Sequence, residues 1–320
     1  MSLIAIILVL VLEQFHALSV TRVIHAPFLR LADRVMAYFD DGEYRQGISA
    51  WILLVAIPSC AVLLLSFVLQ FNAPVWGFVL GLAVLYLTMG LRHFSNQFTA
   101  IQTALQFGEI ERARSLLAVW RGRSGDHLTP TETAGHSIAR GLTDAHQHVF
   151  APIFWFAVVG PSGALMYRLA QLLDERWGQQ WKARMADGSG RDVGRFGEFS
   201  GKAFLLIDWI PARLTSIAFA LVGDFEDAIQ CWRTQLNQSP RSYQEIVVAS
   251  GAGALGVRIA VATTTPLGPD ADDTGVAEFG LGDDADSNGM QRAAAMVWRA
   301  LLLVLLVLAV SLLSSWQSFF

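Results

Sequence analysis

The sequence predicts an all-α, polytopic integral membrane helical bundle with broken or re-entrant helices and a cytoplasmic helical subregion. Three observations predict it. Of 320 residues, 53% are hydrophobic and 16% charged, against about 25% charged in an average soluble domain. Residues 48–70 and 74–91 contain no acidic or basic side chain, and each approaches the ~20 residues that cross the hydrocarbon core as a helix. Residues 149–169 and 203–223 are also apolar, yet the first holds Gly160-Pro161 and the second holds Asp208, Pro211 and Arg213. Ionisable groups at membrane depth cost about 2.5–3.5 kcal/mol on insertion scales, so where they occur they mark a pathway or a site.

The elements follow in chain order. Met1–Leu12 is apolar but lacks the basic leader and small-residue cleavage motif of a secretory signal. It reads as a retained, partly inserted first helix, completed by residues 16–20. Segments 48–70 and 74–91, joined by Phe71-Asn72-Ala73, form a tight helical hairpin. Arg22, Arg30, Arg34 and Arg45 precede the hairpin, Arg92, Arg112, Arg114, Arg121, Arg123 and Arg140 follow it, and its tip carries no charge. The positive-inside rule places both flanks in the cytoplasm.

Residues 92–148 form a cytoplasmic helical segment, with Phe98, Ile101, Leu105, Ile110, Leu116 and Leu117 at roughly helical spacing and a break at Gly108-Glu109. Segment 149–169 bends at Gly160-Pro161 as a re-entrant element, and 203–223 breaks near Pro211. Irregular backbone at membrane depth survives only where protein buries it or it lines a wet cavity. The expectation is therefore two interrupted helices around a cytoplasm-facing cavity, within a single membrane domain over 1–320. Residues 263–290 hold Asp270, Asp272, Asp273, Asp283, Asp284 and Asp286 and read as an acidic flexible loop without the ligand order of a calcium-binding hand. Residues 300–316 close the chain as a terminal transmembrane helix.

Composition narrows the partners. A net charge of −4 with no basic stripe excludes nucleic acid, and ten tryptophans suit a membrane interface, making lipid an expected partner. Cys60 and Cys231 are far apart and in different settings, which argues against a disulfide framework or thiolate metal site. A homo-oligomer is compatible with everything in the sequence.

The sharpest chemical candidates are Asp208 and Arg213, a carboxylate and a guanidinium in one apolar helix that can pair across the Pro211 kink. One reading is a structural ion pair that fixes the break; the other has Arg213 and Arg168 bind an anionic substrate group, with Asp208 orienting them or holding a metal. Gly160-Pro161-Ser162-Gly163 offers backbone N–H groups to a phosphate at a helix start, without being a P-loop. The Gly251–Gly256 stretch fits small-residue helix packing better than ligand binding. His146-Gln147-His148 beside Asp144 has a spacing that keeps both rings off one helix face, so interfacial histidines are preferred to a metal site.

Four strings carry a family resemblance: Ala151-Pro152-Ile153-Phe154-Trp155, Gly160-Pro161-Ser162-Gly163-Ala164-Leu165-Met166-Tyr167-Arg168, Asp208-Trp209-Ile210-Pro211-Ala212-Arg213-Leu214-Thr215 and Gly253-Ala254-Leu255-Gly256-Val257-Arg258. In this order they resemble the CobD/CbiB family of bacterial inner-membrane, multi-pass proteins and its relative AmpE. The resemblance to CobD/CbiB implies cobalamin biosynthesis, joining aminopropanol or its phosphate to adenosylcobyric acid as an amide. It implies ATP and Mg2+ as cofactors and a corrinoid substrate as partner. On that resemblance Asp208 and Arg213 are the catalytic candidates, and Tyr167, Arg168, Arg258 and His25 the substrate- or phosphate-binding ones; no metal ligand is assigned. Where those enzymes carry Gly-Asp-Pro and then His-Pro, this chain reads Val23-Ile24-His25-Ala26-Pro27, and their Ser-Pro-Asn-Ala-Gly is Ser239-Pro240-Arg241-Ser242-Tyr243. These departures and the final membrane helix resemble AmpE, which implies the alternative of a non-catalytic membrane regulator linked to β-lactamase induction.

Overall fold

A computed structural model describes residues 2–15, 25–39, 43–122, 127–186, 195–237, 243–262 and 276–317. The described residues are helical almost throughout and divide into two compact units, Met1–Gly90 with Ala151–Trp209, and Leu91–Phe150 with Ile210–Phe320. Helices and strands are numbered in chain order. The expected residues 16–20, and the Ser239–Ser242 part of the substituted motif, lie outside the described residues.

The first unit holds α1 (Ser2–Phe15), α2 (Ala26–Phe39), α3 (Tyr44–Trp51), α4 (Ile57–Asn72), α5 (Pro74–Thr88), α9 (Ala151–Val159), α10 (Pro161–Leu173), α11 (Gln179–Ala186) and the first half of α12 (Glu198–Val222). A π-helical turn, Ile52–Ala56, joins α3 to α4, giving one helix of 29 residues from Tyr44 to Asn72. Ala73 turns the chain into α5, whose first residue is Pro74, suited by its fixed φ to a helix start. The expected hairpin is therefore present, its first arm starting earlier than the uncharged run. Leu64, Phe67, Phe71 and Trp76 on it are each more than 60% exposed, a density of uncovered large apolar side chains that suits lipid rather than water.

Among the described residues, three helices are long and apolar enough to cross a membrane: Tyr44–Asn72, Glu198–Val222 and Ser287–Ser311. The core of the first unit gathers Leu54, Val55, Tyr167, Leu173, Trp177, Phe196 and Phe204, with Phe28 and Met36 of α2 packed against them.

The second unit contains α6 (Leu91–Gln106), α7 (Ile110–Arg121), α8 (Pro130–Ala145), the rest of α12, α13 (Phe225–Asn237), α14 (Tyr243–Leu255) and α15 (Ser287–Gln317). The break expected at Gly108-Glu109 separates α6 from α7. Thr129 and Glu132 exchange hydrogen bonds to cap α8, satisfying two of its orphan N–H groups. The glycines of α14 serve packing as expected: a Cβ at Gly253 would stand 2.6 Å from the Asp227 carbonyl oxygen, and one at Gly251 2.7 Å from Leu142.

Two expectations are corrected. Residues 276–290 are not a flexible loop. They form β2 (Val276–Phe279) and β3 (Asp283–Asp284), which flank β1 (Val257–Ala262) in a sheet of order β2-β1-β3, β2 antiparallel and β3 parallel to β1. Val257 and Ile259 are buried and Arg258 between them is exposed, the period-two pattern of a half-buried strand. Asp286 then accepts the Gly289 N–H at 2.6 Å and caps α15, which starts well before residue 300. Residues 263–275 lie outside the described residues. The second correction concerns α12, which runs unbroken through Pro211.

Candidate functional site

The site begins with a turn. Gly160 adopts φ +82° and ψ −156°, a region essentially closed to residues with a Cβ, and Pro161 starts α10 in the opposite direction. A Cβ at Gly163 would stand 2.5 Å from the Trp155 carbonyl oxygen and 2.8 Å from the Val159 Cβ, so α9 and α10 meet at backbone distance. The break expected at Gly160-Pro161 within 149–169 separates these two helices. Gly163 and Ala164 both donate their N–H to the Gly160 carbonyl, so the glycines serve the turn and the close approach. Packing of α10 against α9, α5, α4 and α2 fixes its orientation.

This places Tyr167 and Arg168 inside the first unit. Tyr167 is fully buried and its hydroxyl donates to Asp208 Oδ1 at 2.9 Å, with its ring 5.6 Å from that of Phe204. Asp208 is itself buried. Arg168 is 3% exposed; its Nε donates to His25 Nε2 at 3.1 Å, its Nη2 lies 2.7 Å from the same nitrogen, and its Nη1 donates to Gln171 Oε1 at 2.7 Å. Because His25 accepts at Nε2, its proton sits on Nδ1 and the ring is neutral. Gln171 passes the polar chain on, donating to Glu175 Oε1 at 3.0 Å.

His25 and Gln171 are neutral acceptors. They orient the guanidinium, and a planar guanidinium suits a carboxylate or phosphate. His25, Tyr167, Arg168 and Asp208, four of the residues singled out from the sequence, thus lie in one unit on two sets of hydrogen bonds that start from the adjacent residues Tyr167 and Arg168.

The remaining candidates belong to the second unit. Arg213 is half-buried on α12, five residues and about 1.4 turns from Asp208 on a continuous helix rather than across a break. Arg258 is exposed on β1 and paired with Asp284 at 2.7 Å, a surface pair of small energetic weight. His136, on α8 where it packs against α6, α14, α15 and β1, is buried, as is His146 just beyond that helix, while His148 is half-buried. Burial, then the charge of Arg121, pushes His136 down to about 4, so it is neutral at physiological pH. His146 Nδ1 lies 2.9 Å from Thr215 Oγ1, and Asp144 receives Trp120 Nε1 at 3.0 Å and stands 3.1 Å from Arg140 Nε. Among the described residues no three His, Cys, Asp or Glu side chains gather as a metal site. A shallow groove lies between α6, α8 and α15, lined by Leu91, Phe94, Phe98, Leu142 and Trp298 among others. No residue of 149–169 or 203–223 lines it.

Sequence reading missed Gln171, Glu175 and Asp174. Arg168, Gln171 and Glu175 fall at the three- and four-residue spacing that stacks side chains on one helix face, a signal that was readable. Asp174 begins the π-helical turn Asp174–Gly178 after α10 and is buried 3.4 Å from Lys182 Nζ. Burial pushes its carboxyl up to about 6, partly opposed by Lys182 and Gln179.

The family model described as CobD/Cbib protein matches residues 4–270. A protein of Stutzerimonas stutzeri described as "Cobalamin biosynthesis protein CobD" is 32% identical over 287 residues, 88% of each chain. Proteins of the same description from Chromobacterium violaceum and Brucella suis are 32% and 28% identical, covering 67% and 84% of this chain and 64% and 81% of their own. No solved structure matches.

Proposed function

Because the chain belongs to the CobD/Cbib family, we propose that it acts in cobalamin biosynthesis as a multi-pass inner-membrane synthase. The reaction forms an amide between aminopropanol, or its phosphate, and the propionate carboxyl of adenosylcobyric acid with ATP. The observation that carries the site assignment is the buried Arg168, held by His25 and Gln171 beside the Tyr167–Asp208 pair. A carboxylate activated as its acyl phosphate needs cationic groups for the phosphate and shielding from water. Arg168 supplies the first, and its burial in the α9–α10 hairpin supplies the second.

Magnesium needs only one or two protein carboxylates when substrate phosphates and water complete its shell, and the buried carboxylate of Asp208 fits that donor set. Asp208 would hold the ion and Arg168 the phosphate, the ion neutralising charge on the transferred group. Arg213, which belongs to the second unit, keeps the role that the family resemblance implies for it, binding a substrate carboxylate or phosphate.

Complementation tests the proposal. The wild-type gene restores growth on adenosylcobyric acid to a strain lacking the synthase, and Arg168→Gln and Arg213→Gln do not, although both proteins insert and accumulate. Failure of the wild-type protein, shown to be inserted and stable, ends the synthase reading. Full growth with Arg168→Gln removes the site.

A further inference from the structure

Helix α2 stands between two apolar helices of the first unit, α1 and the long helix Tyr44–Asn72, and its two faces differ sharply. Phe28, Ala32, Val35, Met36 and Phe39 turn into the core, and Asp33 is tied to Arg176 at 2.7 Å. The opposite face exposes Pro27, Arg30, Leu31, Arg34 and Tyr38, with Leu31 at 48% and Tyr38 at 85%. At about 100° per residue, Arg30 and Arg34 lie one above the other, and Pro27, Leu31 and Tyr38 form an apolar stripe beside them. Arg30 bonds only its own helix, through the Ala26 carbonyl, and neither arginine makes an ion pair with a described residue. Arg45, at the start of α3, is exposed nearby in sequence.

Cations beside an uncovered apolar stripe, on a helix whose other face is anchored in protein, match the chemistry of the membrane–water boundary. Guanidinium groups meet lipid phosphates there, and Leu and Tyr reach the upper acyl region. We propose that the outer face of α2 is a binding surface for anionic phospholipid, with Arg30 and Arg34 on the headgroup phosphates and Leu31 and Tyr38 in the acyl boundary. The inference rests on the reading that Tyr44–Asn72 crosses a bilayer, which places α2 at its surface. It goes beyond the synthase proposal and does not depend on it.

The test uses the full-length protein in nanodiscs of phosphatidylcholine and phosphatidylglycerol. In a background with Cys60 and Cys231 replaced, a fluorophore is attached at Tyr38→Cys or, as the insertion control, at Leu64→Cys on the exposed face of α4. Quenching is read with spin-labelled phosphatidylglycerol and with spin-labelled phosphatidylcholine. The probe at position 64 is quenched equally by both lipids. The probe at 38 is quenched preferentially by phosphatidylglycerol, and Arg30→Gln with Arg34→Gln lowers that preference by up to about 30-fold, the factor for two charges at an anionic surface. Quenching at 64 without quenching at 38, or a lipid preference unchanged by the double substitution, overturns the inference alone. Absence of quenching at 64 overturns the bilayer-crossing reading and the inference with it.

Discussion

Removing the Tyr167 hydroxyl tests whether the bond to Asp208 holds the site together. Tyr167→Phe keeps the ring, and hence its contact with Phe204, while deleting one donor to a buried carboxylate. Hydrogen bonds to charged groups contribute about 1.5–3 kcal/mol, against about 1 kcal/mol for neutral pairs. Burial of both partners places this bond in the upper class, and 1.5–3 kcal/mol corresponds to roughly 10- to 150-fold in the unfolding equilibrium. A single substitution does not isolate that quantity, since a buried carboxylate that loses a donor adds its own desolvation cost. A double-mutant cycle of Tyr167→Phe and Asp208→Asn does. Equilibrium unfolding of the four proteins in mixed micelles yields the coupling, expected at about 1.5 kcal/mol or more. Additive effects, with coupling inside the ~0.5 kcal/mol scatter of independent sites, would refute the claim that the two residues form one energetic unit.

Two further predictions concern neighbouring groups. Arg168→Lys keeps the charge, but an ammonium cannot reproduce the planar set of bonds to His25 and Gln171. Substrate affinity should fall by about tenfold or more, read as KM in membranes, with expression unchanged; wild-type KM would remove the oriented fork from the site. Asp174, raised to about 6 from 3.8, binds its proton more tightly folded than unfolded. Stability is therefore lost as pH rises from about 4 to about 6 and the full cost, of order 3 kcal/mol, stands above that window. Asp174→Asn should flatten this pH dependence of the melting temperature, and an unchanged slope would show that the carboxyl is not its source.

Length and charge pattern made the hairpin of α4 and α5 legible, because an uncharged run of membrane length has few alternatives in a helical chain. Gly160-Pro161 was legible for a local reason: one residue can take positive φ and the next cannot continue the preceding helix. The strands β2 and β3 were hidden by the aspartates around them, which read as solvated loop when composition is weighed before the alternation of Val257, Arg258 and Ile259. Asp208 was legible as a charge in an apolar helix, but its bond from Tyr167 was not. The hydroxyl that reaches it comes from Tyr167, 41 residues earlier, and only the fold brings the two to 2.9 Å. Long-range partners of this kind leave no spacing in the sequence.

The two prolines of the apolar segments show what decides between a break and a continuous helix. Pro161 follows Gly160, which moves freely to φ +82° and ends α9. Pro211 follows Ile210, a β-branched residue for which positive φ is strongly disfavoured, so the chain stays helical despite the roughly 3 kcal/mol cost of an interior proline. On the C-terminal side of the proline, Thr215 Oγ1 donates to the Pro211 carbonyl at 3.0 Å and Ser216 Oγ to that of Ala212 at 2.9 Å. With that hydroxyl committed, Thr215 accepts from His146 Nδ1. Ile210→Gly supplies the permissive residue that α12 lacks and adds about 1 kcal/mol of helix penalty, tilting a helix already burdened by Pro211 toward interruption. Ile210→Ala removes the same side chain without granting positive φ. Amide hydrogen exchange over residues 206–214 should quicken in Ile210→Gly and not in Ile210→Ala. Equal exchange in the two variants would mean that the neighbour's backbone freedom does not separate the broken helix from the continuous one.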